Sequence, residues 1–419
     1  MTTAVTTAPL QRPRLARQRL QNAAVEVRPI IRTLFVLFVL SMPIETAKLP
    51  GMPPNLTFAK IFGYLFFLVA LTQMRVTFRR PRFAVVLFWI YTAAITVLIV
   101  LRPAPGAIGV LLQTIQWMVL LWVASNLLAF RSVRSATLLA LTIGCTLLAG
   151  LQAFAPVTND SLSGDRITAL GENPNTAGAM FAIGIIAALG WRREYSHGRP
   201  LVRNFLMACA ALMGAQMVRT GSRGAMLALV LGLLVYVLVA ERFAGKVKAA
   251  IVAFIVLAVL GWIVLTTENV RTRWQRALEQ RDLSHREMIF PVAWQMFTER
   301  PLTGWGVNHH FTELGWRFGR EALEEHNLVL YILNEGGLFA GLPYMLGLFV
   351  VFLLGFRARR AGAGIAALAL FVTLMVVNLS NVFHYRKTQW VLLAFAIGSA
   401  PRVIRRVSQR PLPPPPRPA

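Results

Sequence analysis

Long apolar runs, each roughly 17–25 residues and separated by short polar stretches, recur along the whole chain, and runs of that length match the apolar thickness of a bilayer when helical. A closed transmembrane barrel would show alternating segments of about 10 residues instead. The sequence therefore predicts an all-α fold, a polytopic transmembrane helical bundle of about 12 spans with one large periplasmic loop. Of the 419 residues, 56% are hydrophobic and 14% charged, far more apolar than one soluble core requires.

The formal charge of +26 raises the question of nucleic acid. The basic residues, however, fall in short turns and at both ends of the chain, where the positive-inside rule places them, so no nucleic-acid partner is expected. Arg12, Arg14, Arg17 and Arg19 put the N-terminus in the cytoplasm, and Arg402, Arg405 and Arg406 do the same for the C-terminus. The two cysteines, Cys145 and Cys209, lie inside expected spans and read as packing residues. The basic N-terminus lacks a short cleavable apolar core, so the first span is expected to stay in the mature protein.

Five regions follow from this pattern: a basic cytoplasmic tail (1–29), spans one to nine (30–266), a large periplasmic loop (267–325), a periplasmic re-entry with spans ten to twelve (326–400), and a basic, proline-rich cytoplasmic tail (401–419). The run from Phe205 to Val218 reads as too short to cross without thinning the bilayer. Three features that are not simple basic turns emerge on the outer face. Shared sidedness is a necessary condition for one site.

The first is the turn-rich approach from Asp165-Arg166 to Gly171-Glu-Asn-Pro-Asn-Thr-Ala-Gly178. Asn173 before Pro174 fits a helix cap, while Arg166 and Asn175 suit an anion or sugar. The second is Arg219-Thr-Gly-Ser-Arg223-Gly-Ala225. Its arginines either snorkel to head groups or grip phosphate, and the Gly-Ser-Arg-Gly turn adds backbone donors to the charge. The third is the loop itself, with His285-Arg286, His309-His310 and Glu324-Glu325-His326-Asn327. His326 sits where the chain re-enters the membrane, ahead of a Gly336-Gly337 break, and imidazole there can take a proton from a sugar hydroxyl. Metal at His309-His310 stays open, although no spacing matches a strong metal motif.

The aspartates are Asp160, Asp165 and Asp282, so no Asp-x-Asp pair exists to hold a divalent ion on a nucleotide sugar. No phosphate-cradling glycine loop of the nucleotide-binding kinds occurs either, and no cofactor is expected. Lysine is confined to positions 48, 60, 246, 248 and 387, which leaves arginine to meet a leaving diphosphate.

Taken in order, the Asn173-Pro-Asn175 segment, the Thr220-Gly-Ser-Arg-Gly-Ala225 turn, Arg286 before Phe290-Pro-Val-Ala-Trp294, Pro301-Leu-Thr-Gly-Trp-Gly306, and His326-Asn327 followed by Glu335-Gly-Gly337 resemble the O-antigen ligase and polymerase superfamily over about residues 160–345. Ala340 stands where that pattern often has glycine. The resemblance implies a metal-independent, inverting glycosyltransferase of the bacterial inner membrane with undecaprenyl diphosphate-linked O-antigen as donor and lipid A-core as acceptor. Carried over by position, His326 would activate the acceptor hydroxyl and Arg223 and Arg286 would hold the diphosphate. Arg219 and Arg166 would be secondary diphosphate contacts, and Asn173, Asn175, Arg386 and Lys387 further substrate contacts. A single dominant outer loop favours a ligase over the alternative, an O-antigen polymerase, and a protein O-oligosaccharyltransferase is a third enzyme reading. A lipid-linked glycan transporter is the reading from a different class, and no inverted repeat points to it.

Overall fold

The computed structural model describes residues 26–47, 51, 53, 56–159, 166–195, 199–239, 285–359 and 364–401, with scattered positions between 247 and 279. Both tails, Asp165, most of expected span nine and most of 267–284 lie outside the described residues. The helices run α1 (Pro29–Ser41), α2 (Phe58–Ala70), a 3-10 turn and the short α3 (Met74–Thr77), α4 (Phe83–Leu101), α5 (Ala107–Leu127), α6 (Arg131–Phe154), α7 (Pro174–Tyr195), α8 (Pro200–Arg219) and α9 (Arg223–Leu238). Then come α10 (Arg286–Glu299), α11 (His309–Arg317), α12 (Leu328–Ala358), α13 (Ala366–Asn378) and α14 (Lys387–Ser399). Among the described residues, seven helices are long and apolar enough to cross a membrane, and three shorter apolar ones accompany them. The architecture is that of a multi-pass membrane protein.

Two departures from the sequence expectation stand out. A two-stranded antiparallel hairpin, β1 (Val157–Asn159) with β2 (Arg166–Thr168), interrupts the helical pattern and pairs Thr158 with Ile167. The run that looked too short to cross is part of α8, whose 20 residues rise roughly 30 Å at 1.5 Å each. The helix gains its length at the start, where Pro200 occupies a first-turn position and Arg203 and Asn204 continue it. Hydrophobicity alone stops counting at such polar residues.

Helix α7 is the most enclosed of the seven long apolar helices, with 89% of its apolar window buried. Its glycines make that possible. A methyl on Gly184 would come within 2.6 Å of Cys145 on α6 and within 2.5 Å of Met213 on α8, and one on Gly190 within 2.6 Å of Ala366 on α13. Small residues let membrane helices approach backbone to backbone, which replaces the hydrophobic drive that lipid removes.

The long helix α12 is broken at Gly337, whose backbone (φ 59°, ψ −156°) is open to glycine but not to other residues. A break inside a spanning segment frees backbone groups that hydrocarbon cannot satisfy. Here residues 301–306 satisfy them. Trp305 N donates to Asn334 O (2.7 Å) and Gly306 N to Glu335 O (3.0 Å), while Leu338 N and Phe339 N donate to Pro301 O (2.8 Å) and Leu302 O (2.9 Å). The Pro301-to-Gly306 and Glu335-to-Gly337 motifs, 34 residues apart at their starts in the sequence, are thus two sides of one joint.

Candidate active site

His326 stands between two anchors. Before it, Glu325 is fully buried, with Oε1 2.8 Å from His310 Nδ1 and 3.4 Å from Asn334 Nδ2. After it, Asn327 caps α12, its Oδ1 accepting from Val329 N (2.9 Å) and Leu330 N (3.2 Å). The pinned residue between them takes a left-handed backbone (φ 51°), uncommon for a side chain of this kind. Its imidazole stays half-exposed, with Nδ1 3.8 Å from Glu324. Such strain, held by anchors on both sides, marks a residue whose placement is set by its surroundings.

Burial pulls the His326 imidazole below its ordinary value, the Arg286 charge pushes the same way, and Glu325 opposes them. The ring is therefore neutral at neutral pH and able to accept a proton. His310 moves the opposite way. Burial lowers it, but Glu325 by charge and hydrogen bond, with Glu335 and Glu324 behind, outweighs burial, and the net shift is upward. The two histidines have complementary protonation preferences in one loop.

The arginines reach the site through the loop after α13. Arg286 Nη2 donates to Ser380 O (2.7 Å). A methyl on Gly224 would meet Ser380 Oγ at 2.3 Å, so the start of α9, with Arg223 as its first residue, is seated on the same serine. Ser222 caps that helix, its Oγ accepting from Ala225 N. The turn is also seated against α7, since a Cβ at Gly178 would lie 2.9 Å from Thr220 Oγ1 and 3.0 Å from Ser222 Cβ. Asn381 Nδ2 donates to Thr176 Oγ1 (3.2 Å), closing the ring of contacts from α7 through α9 and α10 to the loop.

The remaining predicted residues have separate structural duties. Asn173 is the α7 cap, its Oδ1 accepting from Asn175 N (2.8 Å), as the capping alternative expected. Arg219 is exposed and bonds Gln216 Oε1 (3.2 Å). Arg166 pairs through its backbone in β2. Arg386 Nη2 bonds the buried Glu172 (3.0 Å), and Lys387 is ion-paired to Glu45. His309 and His310 diverge: His310 is buried against Glu325 and His309 is exposed. Among the described residues, no group of three or more His, Cys, Asp or Glu is arranged to hold a metal ion.

Sequence reasoning missed a buried polar chain beneath the site. Glu335 accepts from Tyr91 OH (2.8 Å) and Tyr331 OH (3.1 Å), and Tyr91 OH lies 3.3 Å from His384 Nε2. On the other side of that ring, Tyr344 OH is 3.1 Å from Nδ1 and accepts from Gln389 Nε2 (2.7 Å), whose Oε1 accepts from Asn378 (3.0 Å). The members come from α4, α12, α13 and α14 and the loop holding His384, and a lone polar residue in each apolar run was the available signal. The chain ties the broken half of α12 to the bundle.

Residues 208–345 match the family model described as O-antigen ligase. That stretch of the chain is similar to O-antigen ligases. The matched stretch takes in Arg219, Arg223, Arg286, His326 and the whole glycine joint, whereas Arg166, Asn173, Arg386 and Lys387 fall outside it. An O-antigen ligase from Pseudomonas aeruginosa is 26% identical over 231 residues, 54% of this chain and 54% of that protein. The aligned part thus spans about half the length of that relative.

Proposed function

We propose that the protein is an O-antigen ligase that moves glycan from undecaprenyl diphosphate to a sugar hydroxyl of lipid A-core, at the periplasmic face of the inner membrane. The observation that carries this reading is that Arg286 and the Arg223 turn are seated on the same serine, while the Arg286 charge acts on the half-exposed His326 imidazole. His326 takes the proton from the acceptor hydroxyl as its oxygen bonds to the anomeric carbon. The bond from that carbon to the diphosphate oxygen breaks with inversion, and the lipid diphosphate leaves with the electron pair. Arg223 and Arg286 meet its charge in place of a divalent ion, and pre-organised charge of this kind is usually the largest part of transition-state stabilisation. A groove of about 500 Å³ between α2 and α5, walled by apolar side chains with Lys60 and Lys387 among its lining, suits a lipid with an anionic head.

The test is deletion of the gene, followed by side-by-side analysis of lipopolysaccharide and lipid-linked glycan. Polymer accumulating on undecaprenyl diphosphate above bare lipid A-core is the expected result. Lipid A-core carrying a single repeat, without long lipid-linked polymer, would make the protein the polymerase. Complementation with His326→Ala should leave the ligation defect in place, and normal ligation by that variant, stably inserted, would remove the base assignment.

A further inference from the structure

The cleft between α11 and the turn after α4 is not used by the chemistry above. It encloses about 640 Å³, within the roughly 300–1,000 Å³ of sites that take small-molecule-sized ligands. Helix α11 buries His310 and Leu314 and turns His309, Thr312, Glu313 and Trp316 to the cleft, one face at helical spacing. The opposite wall is Arg102 with Ala104 and Pro105, and Arg300, Trp305 and Asn308 complete the lining.

The parts are fixed rather than loose. Arg102 Nη1 donates to Gly304 O (2.9 Å) and Asn308 Nδ2 to Pro105 O (2.9 Å), so the two walls are tied together. Trp305 Nε1 donates to Met296 O (2.9 Å), and the Arg300 guanidinium lies 4.0 Å from the centre of its ring. Trp316, by contrast, is 71% exposed and lines the cleft without being packed away.

The charge of the cleft is cationic. Its one carboxylate, Glu313, shares Arg317 (2.8 Å) with Glu299, so Arg102, Arg300 and Arg317 against these two carboxylates leave one net positive charge at the cleft. An indole offers a flat apolar face to the C–H side of a pyranose, the surrounding amide, imidazole and hydroxyl suit sugar hydroxyls, and arginine suits a carboxylate or phosphate on the sugar. We propose that this cleft is a saccharide-binding subsite for an acid-bearing glycan, a reading that rests on the glycan-transfer function above. The next residue after His309 is His310, which holds Glu325 beside His326, so a glycan seated in the cleft is registered against the base through one short helix.

The experiment uses the full chain in nanodiscs, as wild type, Trp316→Ala, Arg300→Gln and Thr312→Glu. The last adds a negative charge to the lining without removing a packed group. Calorimetric titration with the oligosaccharide released from lipid A-core, and separately with delipidated donor glycan, reads binding, and a transfer assay reads KM for each lipid-linked partner. All three variants should weaken one of the two glycans by about 10-fold, the size of a lost ring or charge contact, with a matching rise in KM. Weakening for the core alone makes the cleft an acceptor subsite, and for the donor glycan alone a donor subsite. Unchanged affinity and KM for both overturns the proposal. Binding that the variants weaken in a wild type that transfers nothing would keep the cleft and remove the ligase reading.

Discussion

Replacing Gly337 by alanine should cost far more than a glycine in a spanning helix usually does. A Cβ there would meet Leu302 C and O at 2.4 Å and Thr303 N at 2.5 Å, all backbone atoms with no rotamer to change. The backbone region itself costs a residue with a side chain about 1–3 kcal/mol, and losing two of the four hydrogen bonds of the joint, buried and unreplaced, brings the total to roughly 3–9 kcal/mol. Gly319→Ala is the control, since its φ is also positive (66°) but nothing lies within 4 Å. It should cost only about 1–2 kcal/mol. Cys145 and Cys209 are both buried, so a thiol-reactive dye reports unfolding in detergent. At about 1 °C per kcal/mol for a chain of 419 residues, Gly337→Ala should melt roughly 1–9 °C below Gly319→Ala. Gly304→Ala, whose Cβ would sit 2.5 Å from Asn334 O and 2.7 Å from Gly337 N, should behave alike, and the double variant should lose less than the sum. Equal melting of Gly337→Ala and Gly319→Ala would refute the joint.

In the proposed mechanism the His326 imidazole is neutral, and its lowered pKa should place the acid limb of the rate profile below the ordinary histidine range. Arg286→Gln removes a charge that disfavours the imidazolium, so the normalised limb should move to higher pH; a limb that stays put or moves down sinks that coupling. The raised His310 has the opposite signature: its stabilisation is complete below the unfolded value of about 6.5 and is lost as pH rises through the folded one. The melting temperature of wild type should therefore fall between mildly acidic and alkaline pH more than that of His310→Gln, and parallel curves would argue against a charged pair with Glu325. Glu325→Gln should destabilise by about 3–5 kcal/mol wherever His310 stays protonated, measured as dye-reported melting at acidic pH.

Much of this was legible in the order of residues. Apolar runs announced helices such as α4, α5 and α7, and Pro174 after Asn173 marked the start of α7 to the residue. The Gly336-Gly337 break was visible as two glycines after a loop. Other features resisted for physical reasons. The strands Val157–Asn159 and Arg166–Thr168 went unread because a hairpin's backbone pairing leaves little imprint on three-residue strands. Arg386 and Lys387 stood out in the sequence as possible substrate contacts, yet they pair with Glu172 and Glu45, 214 and 342 residues away. The Tyr91–Glu335–Tyr331 chain has the same origin, since tyrosines on apolar helices look like ordinary membrane aromatics until their hydroxyls meet.

The joint and His326 are held by one set of contacts. In the proposed mechanism a base at the mouth of the bundle is held without a rigid helix on both sides, so that an acceptor and a lipid donor can both reach it. Continuing α12 upward would place His326 on a helix flank with a neighbour one turn either side. Breaking α12 at Gly337 lets the 301–306 strap dock, which fixes Asn334 and Glu335, and Asn334 and His310 then fix Glu325. Tyr91 and Tyr331 hold Glu335 from below, so the half-helix from Leu328 to Gly336 is braced at both ends. His326, one residue beyond Glu325 and one before the Asn327 cap, inherits its position from both. Substitutions at Gly304 or Gly337 mild enough to preserve insertion should consequently lower turnover as a His326 change does, although neither glycine has a side chain to offer a substrate.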